Sequence, residues 1–86
     1  MLRITEGTSR KKSTILRLEG QLIGPWVNEL SRVCETPITD GRKVTIDLAE
    51  VSFADRKGVS LLRELRLRGA VLANESVFLK EQLNGS

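Results

Sequence analysis

The stretch Asp47–Gly69, "DLAEVSFADRKGVSLLRELRLRG", contains the change from a strand pattern to a helix pattern. From Asp55 onward the apolar residues recur at helical spacing, and Gly69 suits the C-terminus of a helix. Asp55 is well placed to cap that helix by accepting a hydrogen bond from the N–H of Lys57 or Gly58. The stretch therefore predicts a strand, a short loop and a helix from Asp55 to Gly69.

Arg56 and Lys57 stand where this helix begins, although exposed cations are unfavourable there by about 0.3–1 kcal/mol each. Three interpretations are open. The pair can be solvated side chains without a role, it can dock onto an acidic partner surface, or it can bind a phosphate together with the helix N–H groups. Gly58 is interpreted as the point at which the helix approaches a strand closely rather than as a ligand site.

The remaining sequence predicts a small α/β domain. In chain order, the predicted elements are a short strand at Leu2–Thr5, a polar hairpin connection over 6–13, a strand over 14–22, a helix from Pro25 that ends in "TPITDG" (36–41), a strand over 43–51, the helix of 55–69, a short strand within 70–76 and a final helical segment over 77–84. Strands that alternate with helices imply parallel pairs joined by right-handed crossovers. We expect one mixed sheet of about four strands, in the order β-β-α-β-α-β-α, as a single domain spanning residues 1–86.

The composition argues against an enzyme. The sequence has one cysteine, Cys34, and no histidine, which rules out Ser-His-Asp and Cys-His catalysis, an internal disulfide and a cysteine-rich metal site. It contains no glycine-rich phosphate loop, and Asp47 and Asp55 have no visible general-acid partner. We therefore expect no catalysis, no metal and no cofactor.

Charge, aromatic content and hydropathy argue against nucleic acid as a ligand and against a membrane span. The net charge of +3 is mild and only 3% of the residues are aromatic, so nucleic acid is disfavoured as a ligand. No segment approaches the ~18 consecutive apolar residues of a membrane span, and the N-terminus lacks the apolar region of a signal peptide. These features predict a cytoplasmic protein.

Three short pieces of the sequence, in their order and spacing, resemble the STAS domain family. They are Leu18-Glu19-Gly20, the strand that ends in Asp47-Leu48, and Phe53-Ala54-Asp55 with Gly58, and the resemblance runs from Ile15 to about Leu83. The family includes bacterial anti-sigma-factor antagonists and STAS domains of transporters. The resemblance implies a non-enzymatic signalling module of the bacterial cytoplasm whose partner is an anti-sigma-factor-like kinase or ATPase, or a transporter subunit.

The resemblance breaks at the position that the family uses as a switch. Anti-sigma-factor antagonists carry Asp-Ser-x-Gly or Asp-Thr-x-Gly, and the partner kinase phosphorylates the hydroxyl residue that follows the Asp. Asp55 and Gly58 match this pattern, but Arg56 occupies the acceptor position and has no hydroxyl. The sequence therefore predicts the module without its usual switch. Ser52, expected at a strand end, and Ser60, expected inside the helix, are the alternative acceptors.

The predicted partner-binding loop comprises Ser52, Phe53, Ala54, Asp55, Arg56, Lys57 and Gly58, together with the exposed side of the helix that follows. Two alternatives stay open at this stage. The first is a basic domain that binds nucleic acid through Arg10, Lys11, Lys12, Arg63, Arg66 and Arg68, which otherwise form a solvated turn and a solvated helix face. The second is a nucleotide-binding STAS module. The sequence also leaves open whether the chain forms a homodimer.

Overall fold

The computed structural model of the chain describes residues 2–10 and 12–84, which form four strands and three helices. The elements are β1 (Leu2–Arg10), β2 (Ser13–Leu22), α1 (Pro25–Thr39), β3 (Lys43–Ala54), α2 (Arg56–Leu67), β4 (Val71–Ala73) and α3 (Val77–Asn84). The strands lie in the order β1-β2-β3-β4. The pair β1–β2 is antiparallel, whereas β2–β3 and β3–β4 are parallel. The predicted mixed sheet and element order are confirmed.

One face of the sheet carries the core. Alternate residues of β2 and β3, among them Leu16, Leu18 and Ile46, are fully buried, as are Leu30 of α1 and Leu62 of α2. Both α1 and α2 pack against β3 and against each other, so the two crossover helices cover the same face. The opposite face carries mostly polar side chains, such as Arg17, Glu19 and Asp47, which are exposed or half-buried, so the domain has two layers and one sheet surface open to solvent.

Two bulges at the end of β3 change the extent of the predicted loop. The register runs from Arg17↔Asp47 to Glu19↔Glu50, and from Gly20↔Val51 to Gln21↔Phe53, so β3 carries an extra residue at each step. The strand therefore runs on to Ala54 instead of ending at residue 51. Asp55 alone separates β3 from α2, and residues 56–58 form the first turn of the helix.

Helix α1 ends within the predicted stretch 36–41. It continues to Thr39, with Pro37 inside its last turn and buried. Pro37 has no N–H to donate to the carbonyl one turn earlier, but the carbonyls that follow keep their donors: Asp40 N–H bonds to Thr36 O at 2.9 Å and Arg42 N–H bonds to Pro37 O at 2.9 Å. The proline is thus tolerated because it adds to the buried face of the helix.

The opening hairpin is tighter than expected. Strand β1 runs to Arg10 rather than ending near Thr5, and Arg10 pairs with Ser13. Lys12 adopts a left-handed backbone conformation with φ 63°, as a tight turn requires. The polar residues predicted to form a long connection therefore belong mostly to the two strands, since a strand at the edge of a sheet accepts polar side chains.

Candidate partner-binding site

The carboxylate of Asp55 joins the starts of two helices. Its Oδ1 accepts a hydrogen bond of 2.7 Å from Gly58 N–H, so Asp55 is the N-cap of α2, as predicted. Its Oδ2 accepts a second bond of 3.1 Å from the N–H of Gly24, the residue that precedes α1. The Asp55 N–H in turn donates to Leu22 O at 3.2 Å, at the end of β2. The cap with Gly58 is confirmed, and the bond to Gly24 was not predicted.

These hydrogen bonds set the charge of Asp55. The hydrogen bond from the Gly24 N–H contributes most, and that from the Gly58 N–H next, to a pKa of the Asp55 carboxyl below its usual value. The positive charge of Lys57 adds to the effect. The carboxylate is therefore ionised at neutral pH and faces two backbone donors. Its negative charge also lies next to Arg56 and Lys57, which offsets part of the unfavourable interaction of these cations with the start of α2.

Gly58 is required by close packing. A Cβ atom at this position would lie 2.5 Å from Leu22 O and 3.1 Å from Leu22 Cγ, and 3.3 Å from the Cβ of Ala54. The first turn of α2 therefore lies directly against the end of β2, with no room for a side chain. The interpretation of Gly58 as a point of close helix–strand approach is confirmed.

An open groove of about 400 Å³ lies beside this turn, between α2 and α3. Its lining includes Phe53, Arg56, Val59, Ser60, Arg63 and Gln82. The Phe53 side chain is 42% exposed at the end of β3, and Arg56 and Ser60 are exposed along α2. Residues of the predicted loop thus form one end of a groove that Gln82 of α3 also lines.

The contribution of α3 was missed by sequence reasoning. Arg63 Nε donates to Leu83 O at 2.9 Å, and a terminal nitrogen of Arg63 donates to Gln82 O at 3.0 Å. The prediction that Arg63 lies on a solvated helix face is wrong, because its guanidinium is partly buried against the carbonyls at the end of α3. Arginine commonly binds the free carbonyls at the C-terminus of a helix. The sequence alone does not show that the helix bound by Arg63 is α3, because the two are about 20 residues apart.

The two serines that flank Arg56 lie where the sequence placed them. Ser52 is near the end of β3, and its hydroxyl donates to Gly20 O at 3.3 Å. Ser60 lies inside α2 and is exposed. Neither occupies the position directly after the capping Asp55, which belongs to Arg56.

The arginines of the nucleic-acid alternative make contacts within the chain. Arg68 forms an ion pair of 3.0 Å with Glu35 of α1, and Arg66 donates to Asn84 Oδ1 at 3.3 Å. Arg68 and Arg63 thereby connect α2 to α1 and to α3, whereas the bond of Arg66 is longer and exposed. Lys12 lies at the turn of the opening hairpin, while Lys11 and the side chain of Arg10 lie outside the described residues.

The chemistry available on the described residues is limited. No group of three or more His, Cys, Asp or Glu side chains that could hold a metal ion occurs within residues 2–10 and 12–84. Burial raises the pKa of the Cys34 thiol to about 11, so this cysteine stays protonated at neutral pH and is a poor nucleophile. In the same part of the chain, no helix is both long and apolar enough to cross a membrane.

Comparisons with known proteins identify the fold. The sequence matches no described protein family and no curated protein. Among solved structures, the anti-sigma factor antagonist SpoIIAA in its unphosphorylated form superposes with a TM-score of 0.80 at 18% identity, over 98% of this chain and 84% of that one. The phosphorylated form of SpoIIAA from Bacillus gives a TM-score of 0.73 at 22% identity, over 96% and 82% of the two chains.

A third match is the STAS domain of an antisigma-factor antagonist from Rhodobacter sphaeroides, with a TM-score of 0.67 at 22% identity, over 88% of this chain and 92% of that one. Together these matches show the fold. The chain is a small α/β domain with a STAS-like fold that resembles SpoIIAA.

Proposed function

We propose that this chain is a non-enzymatic regulatory module that binds another protein through residues 52–58 and the exposed side of α2. The fold supports a module of this class, because the solved structures that it resembles are described as anti-sigma-factor antagonists. The partner would be an anti-sigma-factor-like kinase or ATPase, or a transporter subunit, in the cytoplasm of a bacterium. The mild charge and the absence of histidine from the sequence agree with a binding role rather than catalysis.

The position of Arg56 is the observation that carries this proposal. It is the first residue of α2, directly after the capping Asp55, and its side chain is exposed. SpoIIAA has been solved in phosphorylated and unphosphorylated forms, so a switch by phosphate exists within this fold. Arginine cannot accept a phosphoryl group on a hydroxyl, and it carries a positive charge where a phosphate would carry about −2. Binding through this surface is therefore permanent rather than switched.

Charge reversal at this surface tests the proposal. The tagged full chain is used to capture partners from the source cell, in parallel with the variants Arg56→Glu and Arg42→Glu. Arg42 is also an exposed cation, but it lies in the turn between α1 and β3, away from the proposed surface. We expect Arg56→Glu to lose a partner protein that wild type and Arg42→Glu retain. Equal capture by all three chains, or nucleic acid as the captured species with a steep salt dependence, would contradict the proposal.

A further inference from the structure

Gly24 adopts a backbone conformation that favours glycine. Its dihedral angles are φ 54° and ψ −131°, and the Trp26 N–H donates to Ile23 O at 3.1 Å. These features define a type II′ turn, in which Gly24 is the first central residue and Pro25 the second. The ring of Pro25 holds the negative φ that the second position requires. An L-residue with a side chain at position 24 would oppose this turn, because a positive φ is unfavourable for it.

The space around Gly24 does not require a glycine. A Cβ atom at this position would have no atom beyond its chain neighbours within 4 Å, and the residue is exposed. Gly58 is the opposite case, because a Cβ there would meet the Leu22 carbonyl oxygen. Gly24 is therefore needed for the direction of the backbone, and alanine at this position tests the backbone conformation without a clash.

The type II′ turn directs the Gly24 N–H at the Asp55 carboxylate. This N–H donates to Asp55 Oδ2 at 3.1 Å, and the Asp55 N–H donates to Leu22 O at 3.2 Å. The side chain and the backbone of Asp55 are thus both bound to the short segment that joins β2 to α1. The other carboxylate oxygen caps α2 through the Gly58 N–H. Because Arg56 directly follows Asp55, its place on the surface depends on these bonds.

We propose that Gly24 is a positioning residue of the partner-binding surface: its type II′ turn holds the Asp55 carboxylate, and through it the first turn of α2, so that Arg56 and Lys57 face the partner. This inference rests on the proposed function and adds a residue outside 52–58. A negative φ at position 24 would rotate the preceding peptide or displace the start of α1, and either movement takes the N–H away from the carboxylate. The affinity for the partner then falls with the fraction of chains that keep the bond.

Alanine of either hand at position 24 tests this inference on the full chain. The segment 1–33 is synthesised with glycine, L-alanine or D-alanine at position 24 and is joined to the rest of the chain at Cys34 by native chemical ligation. D-alanine favours the first central position of a type II′ turn, whereas L-alanine opposes it. The first readout is the pKa of Asp55, measured from the chemical shift of its carboxyl carbon. We expect L-alanine to raise this pKa, since the Gly24 N–H contributes most to lowering it, and D-alanine to leave it as in wild type.

The second readout is the affinity for the partner that is captured in an Arg56-dependent manner. Gly24→Ala should weaken binding by about tenfold, the factor that corresponds to the strain of one L-residue at positive φ, and the D-alanine chain should bind as wild type does. Gly41→Ala is the matched control. Gly41 also has a positive φ (76°) and open space around it, but it lies in the turn between α1 and β3. This variant should change neither the affinity nor the pKa of Asp55.

Three results would overturn the inference. They are equal effects of the two alanines, an Asp55 pKa in Gly24→Ala as low as in wild type, and a loss of affinity in Gly41→Ala as large as in Gly24→Ala. If Gly24→Ala does not fold, a chain with an ester oxygen in place of the Gly24 N–H decides, because this change removes the donor alone. It must show a raised Asp55 pKa and weaker binding of the partner.

The two proposals fail in different ways. If the pKa of Asp55 responds to position 24 as expected but the Arg56-dependent partner binds every chain equally, Gly24 does not position the surface and the proposed function stands. If no captured partner depends on Arg56, the proposed function is wrong, even where the pKa of Asp55 responds.

Discussion

Asp55 and Gly24 lie 31 residues apart in the sequence, yet the Asp55 carboxylate accepts a hydrogen bond of 3.1 Å from the Gly24 N–H. The same carboxylate caps α2 through Gly58. One side chain thereby fixes the first turn of α2 against the start of α1, at the edge of the sheet where β2 and β3 end. The surface proposed to contact a partner is built around this junction.

Removal of the Asp55 carboxylate should destabilise the domain. We expect Asp55→Ala to lower the free energy of unfolding by about 1 kcal/mol, the usual contribution of an N-cap, with a further loss from the unpaired Gly24 N–H. Urea unfolding at neutral pH measures this change. Asp40→Ala is the matched control, because Asp40 is an exposed aspartate at the C-terminal cap of α1, where a carboxylate brings no such benefit. Equal losses in both variants would contradict the account of Asp55.

The contribution of Asp55 should depend on pH. The bonds from Gly24 and Gly58 hold its pKa in the folded domain below the value in the unfolded chain, which is about 4. Because the pKa of Asp55 is lower in the folded domain, the stabilisation is fully present at pH values above the pKa of the unfolded chain. It is lost as the pH falls through the pKa of the folded domain. The difference in stability between wild type and Asp55→Asn should therefore be constant from pH 7 to about 5 and shrink in more acidic solution. A difference that grows on acidification would show the opposite sign of shift.

Gly58→Ala should be strongly unfavourable although alanine favours helices. The added Cβ would lie 2.5 Å from the Leu22 carbonyl oxygen, so the start of α2 must move away from β2. We expect a loss of about 1–3 kcal/mol in the free energy of unfolding, as for other overpacked sites. In Gly7→Ala the nearest atom is Ile15 O at 3.9 Å, and this control should be neutral or slightly stabilising. A stable Gly58→Ala variant would disprove the close approach.

Arg63 should hold α3 on the domain. Its guanidinium donates to the carbonyls of Leu83 and Gln82, so Arg63→Ala should increase hydrogen exchange in α3 and lower stability by about 1.5–3 kcal/mol, the range for bonds from charged groups. Arg66→Ala is the control, since Arg66 is exposed and makes a single bond of 3.3 Å to Asn84. If α3 exchanges equally fast in both variants, Arg63 does not anchor this helix.

Local patterns in the sequence predicted most of the fold. The alternation of apolar residues in β2 and β3 and the cap at Asp55 are short-range features, and both were predicted. The close helix–strand approach at Gly58 was also predicted, although the sequence did not identify Leu22 as the residue that it meets. The end of β3 was placed too early because two bulges change the spacing of its buried residues from two to three. Periodicity alone cannot distinguish such a strand from a loop.

The site depended on contacts that cross long stretches of sequence. The bond from Gly24 to Asp55, and the bonds from Arg63 to the end of α3, join elements whose proximity only the tertiary structure defines. Sequence reasoning therefore predicted a loop over 52–58 but missed the contact of α3 with this part of the domain. The burial of the side-chain Oε1 of Gln82, which accepts no hydrogen bond from a described residue, had no signal in the sequence, because glutamine on a short helix is ordinarily solvated.

Substitution at position 56 should have little effect on the fold. Arg56 is exposed in the first turn of α2, so Arg56→Ser should change the free energy of unfolding by less than about 0.5 kcal/mol, while it restores a hydroxyl directly after Asp55. Thermal unfolding of the variant beside Arg42→Ser provides the comparison. A loss of several kcal/mol would mean that Arg56 is part of the structure rather than of the binding surface.

The absence of a phosphorylation switch is tested most directly by mass spectrometry of residues 52–60. The chain is first incubated with ATP and with a serine kinase that phosphorylates an anti-sigma-factor antagonist. SpoIIAA, which has a known phosphorylated form, serves as the positive control. We predict no phosphate on the wild-type chain, and a single phosphate on the Arg56→Ser variant, carried by the hydroxyl that the substitution introduces directly after Asp55. Stoichiometric phosphate on Ser52 or Ser60 of the wild-type chain would contradict the account.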